Sequence, residues 1–489
     1  MGGETTSRTT APPRLRSLFG QSALYGLGGL VSRVLAVVLL PLYTHELTPS
    51  DYGAVETLVA LGAVLVVVLR LGLPTAFFRF YFDAKDDRGR ITLLRTSFWF
   101  TMASATLALA AGLLLARPIA LELLGSSGRA GVVRAAFVAI WAQMNYEQLT
   151  SLFRVEQRAA AFVLASVCNI AITIAATVTL VVVLHRGATG MVLGNAAGTI
   201  VVYLALLAYR REQLGLQLDR RLLRELNRFG LPLVPAALGL WVVNFSDRFL
   251  LAELRGTREV GLYSIAVRLS SALLLLLTAF SLGWPAFAYA IEDDDHARHT
   301  YSNVLTALFF VCCWTSLALG LLAPWLVRLL TQPAFYPSAR AVAPLAFSVT
   351  AYAGYTVVAI GIGRARRTGS NWLVTGAGAV VNAALNVALI PRYGMLGAAV
   401  ATLVAYAAMF AGMASLSQRV FPVPYRWERI AALAVGAALL TAVGRGLHAS
   451  ALGAAALIVA YPLLAGASLG VSGARPRLRR LASQLAAMR

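Results

Sequence analysis

Five arginines lie within hydrophobic stretches long enough to span a bilayer: Arg33, Arg70, Arg134, Arg248 and Arg268. An arginine at the centre of a membrane helix costs about 3 kcal/mol on insertion scales, so such residues turn toward a wet cavity or a binding site. A guanidinium offers a planar fork of donors that grips carboxylate or phosphate through paired hydrogen bonds. Several of them in one apolar chain point to a path or a site for an anion.

Arg33 shares a face with Gly26, Gly29 and Ala36 at helical spacing, a stripe of small residues that leaves room for a partner or ligand. Arg248 closes the run Ala237, Trp241, Asn244, Arg248, which puts an aromatic ring, an amide and a guanidinium on one face. That set suits a phosphorylated sugar. Asp247, next along the chain, is expected about 100° away around the helix. Arg268 lines up with Gly261, Ser264 and Ser271. The plainer alternatives are packing of Arg33 and Arg268 on a neighbouring carbonyl or carboxylate, and snorkelling of Arg248 to the surface. Arg70, among leucines and valines near the inner end, and Arg134, within a turn of the outer side, read as snorkelling residues.

Three carboxylates in the spans, Glu56, Glu147 and Asp247, are the candidates for ion coupling. A buried acid can exchange protons, whereas an arginine partner would keep it ionised. Glu147 belongs to the polar run Gln143 to Gln148, for which hydrogen bonding near the cytoplasmic end is the plainer reading. His296 and His299 follow Asp293-Asp294-Asp295, but a short solvated loop gives a metal no supporting shell, and no metal is expected. Phosphate loops, nucleophile elbows and zinc-protease motifs are missing from the sequence, so neither an enzyme nor a cofactor is expected.

The elements that must position these residues are membrane helices. The chain has 489 residues, 59% hydrophobic and 13% charged, where a soluble domain is about half apolar and a quarter charged. Its net charge of +21 is spread over short loops, which retention of basic residues on the inner side explains without nucleic acid. Cys168, Cys312 and Cys313 all fall in apolar segments and suggest no disulfide framework.

Taking about 20 apolar residues per span, about 14 transmembrane helices are expected. They fall at 17–43, 53–74, 92–116, 131–153, 160–184, 188–209, 229–252, 259–287, 301–323, 341–363, 371–390, 395–418, 430–447 and 451–471. Pro324, Pro333 and Pro337 interrupt the segment 324–340 and blur the count there. With the N-terminus inside, the cytoplasmic segments hold about three times the lysine and arginine of the external ones, and both termini are expected in the cytoplasm.

An internal repeat is also legible. Asp51-Tyr52-Gly53-Ala54 and Glu259-Val260-Gly261-Leu262 open two spans, and Gly187-Ala188-Thr189-Gly190 and Gly394-Met395-Leu396-Gly397 open two others. The paired glycines are 208 and 207 residues apart. The expectation is an all-α polytopic protein with two six-helix lobes related by a parallel repeat, plus two C-terminal helices. Its parts would be a cytoplasmic tail 1–16, lobes 17–210 and 229–418 joined by a linker 211–228, helices over 419–474 and a basic tail 475–489.

The sequence resembles a known family. Leu47-Thr48-Pro49-Ser50-Asp51-Tyr52-Gly53, Leu71-Gly72-Leu73 to Arg79-Phe80-Tyr81, Val260-Gly261-Leu262-Tyr263-Ser264 and Tyr393-Gly394-Met395-Leu396-Gly397-Ala398-Ala399 look like polysaccharide flippases. These are the O-antigen and exopolysaccharide exporters of the multidrug/oligosaccharidyl-lipid/polysaccharide superfamily. The resemblance implies an alternating-access transporter in a bacterial cytoplasmic membrane. It would move undecaprenyl-diphosphate-linked oligosaccharide from the inner to the outer leaflet, with a proton or sodium ion as coupling cation. It also implies a cationic cavity lined by the first, second, seventh and eighth helices, which carry Arg33, Arg70, Arg248 and Arg268. The rival readings are a multidrug extruder of the same superfamily, which should favour buried carboxylates, and a membrane-embedded polysaccharide polymerase or ligase, which should carry a large external loop. A structural scaffold would need no intramembrane arginines.

Overall fold

A computed structural model describes residues 39–84, 86–365 and 371–465. Arg33, most of the span 17–43 and both terminal tails lie outside the described residues. Within them the structure is helical throughout. Its N-terminal part contains α1 (Leu40–Glu46), α2 (Pro49–Arg70), α3 (Leu73–Asp83), α4 (Asp87–Leu114), α5 (Ala116–Leu124), α6 (Ala130–Val155), α7 (Ala159–Val178) and α8 (Gly187–Arg210). Next come α9 (Arg220–Gly230), α10 (Val234–Arg255), α11 (Thr257–Tyr289), α12 (Asp294–Leu330), α13 (Ala339–Arg364), α14 (Asn371–Tyr393), α15 (Met395–Val420) and α16 (Trp427–Gly446). The last is α17 (Ala451–Ala465).

Eleven helices among the described residues are long and apolar enough to cross a membrane, and the protein is a multi-pass membrane protein. The helix α6 has the length, 26 residues, but Gln143, Asn145, Glu147 and Gln148 make it too polar to count among them. Local chemistry sets the ends. Thr48 accepts from the Asp51 N–H at 3.2 Å and Pro49 occupies the first turn of α2, where its missing N–H does no harm. Asp86 and Asp293 cap α4 and α12 in the same way.

Two expected boundaries change. The span expected at 53–74 is two helices, because Leu71 and Gly72 turn left-handed with φ of 48° and 73°. At Gly72 a Cβ would lie 2.2 Å from the carbonyl oxygen of Gly230, so only glycine permits the close passage of the chain entering α10. The proline-rich stretch resolves as one 37-residue helix, α12, running through Pro324, followed by a short 3-10 segment at Pro333–Ser338.

Helices α4 to α8 pack mainly on one another, as do α10 to α15; α16 leans on α12, and α2 packs mainly on α10 and α11. The two sets meet where α2 crosses α10 and α11. At that crossing Gly53 faces Gly261. A Cβ on Gly53 would stand 1.7 Å from the carbonyl oxygen of Thr257, and one on Gly261 would stand 1.9 Å from that of Pro49. The contact is reciprocal, each glycine pressing on the residue four places before the other. Gly187 and Gly394 also share a positive φ, 56° in each, where α8 and α15 begin.

Candidate functional site

The crossing of α2 and α11 carries a buried chain of charges. Glu56 lies one turn below Gly53 on α2, Asp247 and Arg248 are on α10, and Tyr263 and Arg268 are on α11. Arg268 donates from Nη2 to Glu56 Oε1 at 2.8 Å, and Glu56 Oε2 lies 3.9 Å from Arg248 Nε. Arg248 reaches Asp247 Oδ1 from Nη1 at 3.2 Å and from its backbone N–H at 2.8 Å. The Tyr263 hydroxyl donates to the other oxygen of Asp247. The Arg268 guanidinium also lies over the Tyr52 ring, 5.1 Å from its centre.

Two arginines and two carboxylates make this network neutral. Side-chain exposure is only 8% for Arg248, 9% for Glu56 and 4% for Asp247, and buried charges at that depth persist only when paired. The link between Glu56 and Arg248 is the weak one. At 3.9 Å it is electrostatic contact, and Arg248 Nε has no hydrogen-bond partner.

Beside the network is a cavity of about 290 Å³ in which Asn244, Asp247, Arg248, Tyr263, Tyr352 and Tyr406 supply the principal polar groups. Asn244 donates to the Leu240 carbonyl at 2.7 Å and accepts from the Tyr406 hydroxyl at 3.2 Å. The rings of Tyr352 and Tyr406 lie 5.1 Å apart. Hydroxyls, an amide and aromatic faces around one arginine form a wall able to bind a polar, ring-shaped group bearing an anion.

Sequence expectations fare unevenly here. Arg248 does not snorkel, and Asp247 does not point elsewhere: its backbone is offset, but the long arginine side chain folds back onto it. Trp241 leaves the face it was expected to share. Its Nε1 donates to the Ala60 carbonyl of α2 at 3.1 Å, so it ties α10 to α2 instead of lining the cavity. Arg70 does not snorkel either: its Nη1 pairs with Glu147 at 2.5 Å and its Nη2 donates to the Met144 carbonyl at 3.0 Å. Glu147 also accepts from Gln143 at 2.6 Å. Fourteen residues of helix, about 21 Å, separate Arg70 from Glu56, so this pair is a second site and not part of the network. Arg134 is exposed, as its place near a helix end suggests.

Sequence reasoning overlooked Asn382 and Asn386 on α14, both fully buried, with Asn386 donating to Asn382 at 3.0 Å and Ser246 3.5 Å from the same oxygen. Two amides one turn apart in an otherwise apolar helix were the available signal.

Residues 46–339, more than half of the chain, match the model of a family described as polysaccharide biosynthesis protein. The chain belongs to this family. No curated protein matches this polysaccharide biosynthesis protein significantly in sequence. In structure it is similar to the lipid II flippase MurJ in an inward closed conformation, with a TM-score of 0.72 at 11% identity, covering 92% of this chain and 99% of that one. It is also similar to an inward-facing multidrug resistance MATE transporter of the MOP superfamily, with a TM-score of 0.66 at 16% identity over 82% of this chain and 95% of that one. A MOP superfamily transporter from Pyrococcus furiosus, described by the reverse polarity of its binding pocket, follows at 0.55 and 15% identity over 84% and 96% of the two chains. The chain shares the fold of these solved structures.

Proposed function

We propose that this protein moves an oligosaccharide linked to undecaprenyl diphosphate from the cytoplasmic to the outer leaflet of a bacterial cytoplasmic membrane. Two lobes, 17–210 and 229–418, would rock about the crossing of α2 with α11, with both chain termini in the cytoplasm. One observation carries the reading: the Arg268–Glu56–Arg248 bridge spans that crossing and has an unfilled donor at Arg248 Nε. A diphosphate competes with Glu56 for both guanidinium groups, and the sugar rests against Tyr352 and Tyr406. Displaced from its arginines, Glu56 takes up a proton or a sodium ion, with Asp247 as the neighbouring acid. Arg33, outside the described residues, is expected to join the same anion site, and Arg70 with Glu147 to act at the other end of α2.

Asp247 in the cavity wall favours a second reading, a multidrug extruder that binds cations. The two arginines beside it weigh toward the anion.

A glycan carrying hydroxyls and two phosphate charges cannot cross about 30 Å of hydrocarbon unaided. Cells lacking the protein should therefore hold complete lipid-linked repeat units on the inner leaflet, protected in spheroplasts from an impermeant glycosidase. Units cleaved from outside would refute flipping and favour a polymerase or ligase. In complemented cells Arg268→Ala should abolish surface glycan at normal protein abundance, with Arg268→Lys rescuing in part because it keeps charge but loses the fork.

A further inference from the structure

A second cavity, of about 390 Å³, opens where α12, α13, α16 and α17 end at one face of the membrane. Its wall holds Arg328, Arg340, Arg445 and His448, with Pro324 and Trp325 at the apolar side, and no carboxylate. The sequence offers none nearby. From His296 to Arg489 the only acidic residue is Glu428, at the opposite end of α16 and about 25 Å from Arg445 along the helix. None of the three arginines has an ion-pair partner among the described residues. Arg445 donates to the carbonyls of Ala339 and Arg340 at 2.8 and 3.3 Å, and Arg328 lies over the Tyr336 ring.

Helix dipoles account for part of this arrangement. Arg328 and Arg445 occupy the last turns of α12 and α16, where a cation is favoured. Arg340 is in the first turn of α13, where a cation is disfavoured, and its own backbone carbonyl accepts from the Arg445 guanidinium. The beginning of α17, at Ala449 and Ala454, adds the positive end of another helix to the wall. Positive charge thus converges on one cavity from four elements, one of them against its dipole, with no carboxylate in its wall among the described residues.

We propose that this cavity binds the phosphate of an anionic lipid headgroup, one with no choline or other cation to offset its charge, at the membrane face where α12 and α16 end. The face is the one that also carries the glycine crossing: Thr44 donates to the Leu330 carbonyl at 3.4 Å, and Gln332 donates to that of His45 at 3.2 Å. A phosphate there fills the fork of Arg340 and bridges Arg328 to Arg445, while the acyl chains follow the apolar side past Trp325.

The test is thermal unfolding of the full-length protein in detergent, titrated with phosphatidylglycerol, phosphatidylcholine or inorganic pyrophosphate. Arg328→Gln with Arg340→Gln changes two exposed side chains and spares Arg445, which holds backbone. The double variant should unfold normally without lipid yet need about tenfold or more phosphatidylglycerol for half the stabilisation, at roughly 1 kcal/mol per arginine. Phosphatidylcholine should stabilise neither protein. Competition by pyrophosphate would mean that the phosphate group alone is recognised, so that a sugar carrier's diphosphate also qualifies; absence of competition would restrict the site to bilayer lipid. Both results support the site. An unchanged titration in the double variant, equal stabilisation by phosphatidylcholine, or an equal loss in the control Arg88→Gln with Arg221→Gln would overturn it.

Discussion

Arg70 and Glu147 show how far a charge in this protein depends on its neighbour. Arg70 is the buried member, with its side chain 9% exposed against 37% for Glu147, so losing Glu147 strands a buried guanidinium at a cost of about 1–3 kcal/mol, whereas replacing both by apolar residues is often neutral. Glu147→Leu alone should therefore lower the thermal unfolding midpoint, and Arg70→Leu with Glu147→Leu should restore most of it. A double variant no more stable than the single one would show that the pair is not what holds these side chains. Glu56, Asp247, Arg248 and Arg268 were all legible as charges in apolar sequence, but their pairing was not. A helical wheel places the Cβ atom, while an arginine head group lies several bonds further out and chooses its partner in three dimensions. That is why Asp247, offset in sequence, meets Arg248, and why Trp241, aligned with it, goes to α2.

At the scale of elements, Gly53 and Gly261 decide whether α2 and α11 can touch. Neither has space for a methyl group, so Gly261→Ala should push the helices apart at a cost of about 1–3 kcal/mol. The Ser50 and Thr257 hydroxyls, 2.7 Å apart beside this contact and both bound by Arg129, should part with them. A cysteine introduced as Ser50→Cys should resist an impermeant maleimide in the parent and react several-fold faster in the Gly261→Ala background; equal rates would mean that the glycines do not control the crossing. The sequence revealed these glycines through their spacing, and the long apolar runs revealed most helices. Breaks such as that at Leu71–Gly72 stayed hidden, because the reason for the turn is Gly230, far away in the chain. The long α12 was hidden too, because a proline inside a membrane helix need not end it.

For the molecule as a whole, the excess of basic residues in the segments expected on one side supports the orientation proposed above. A phosphatase fused after Arg489 should be inactive and a fluorescent protein fused there bright; the reverse would place the C-terminus outside. The reciprocal glycine contact has a further meaning for descent. Two equivalent residues that meet each other across an axis are what a symmetric homodimer presents, one patch serving both sides. Fusing two copies of such a gene end to end would leave that patch meeting its own duplicate within one chain, as Gly53 meets Gly261. Glu56 and Arg268 do not correspond at the 208-residue spacing, which pairs Glu56 with Ser264 and Arg268 with Ala60, so the charges that bridge the contact make its two sides unlike, a plug and its socket.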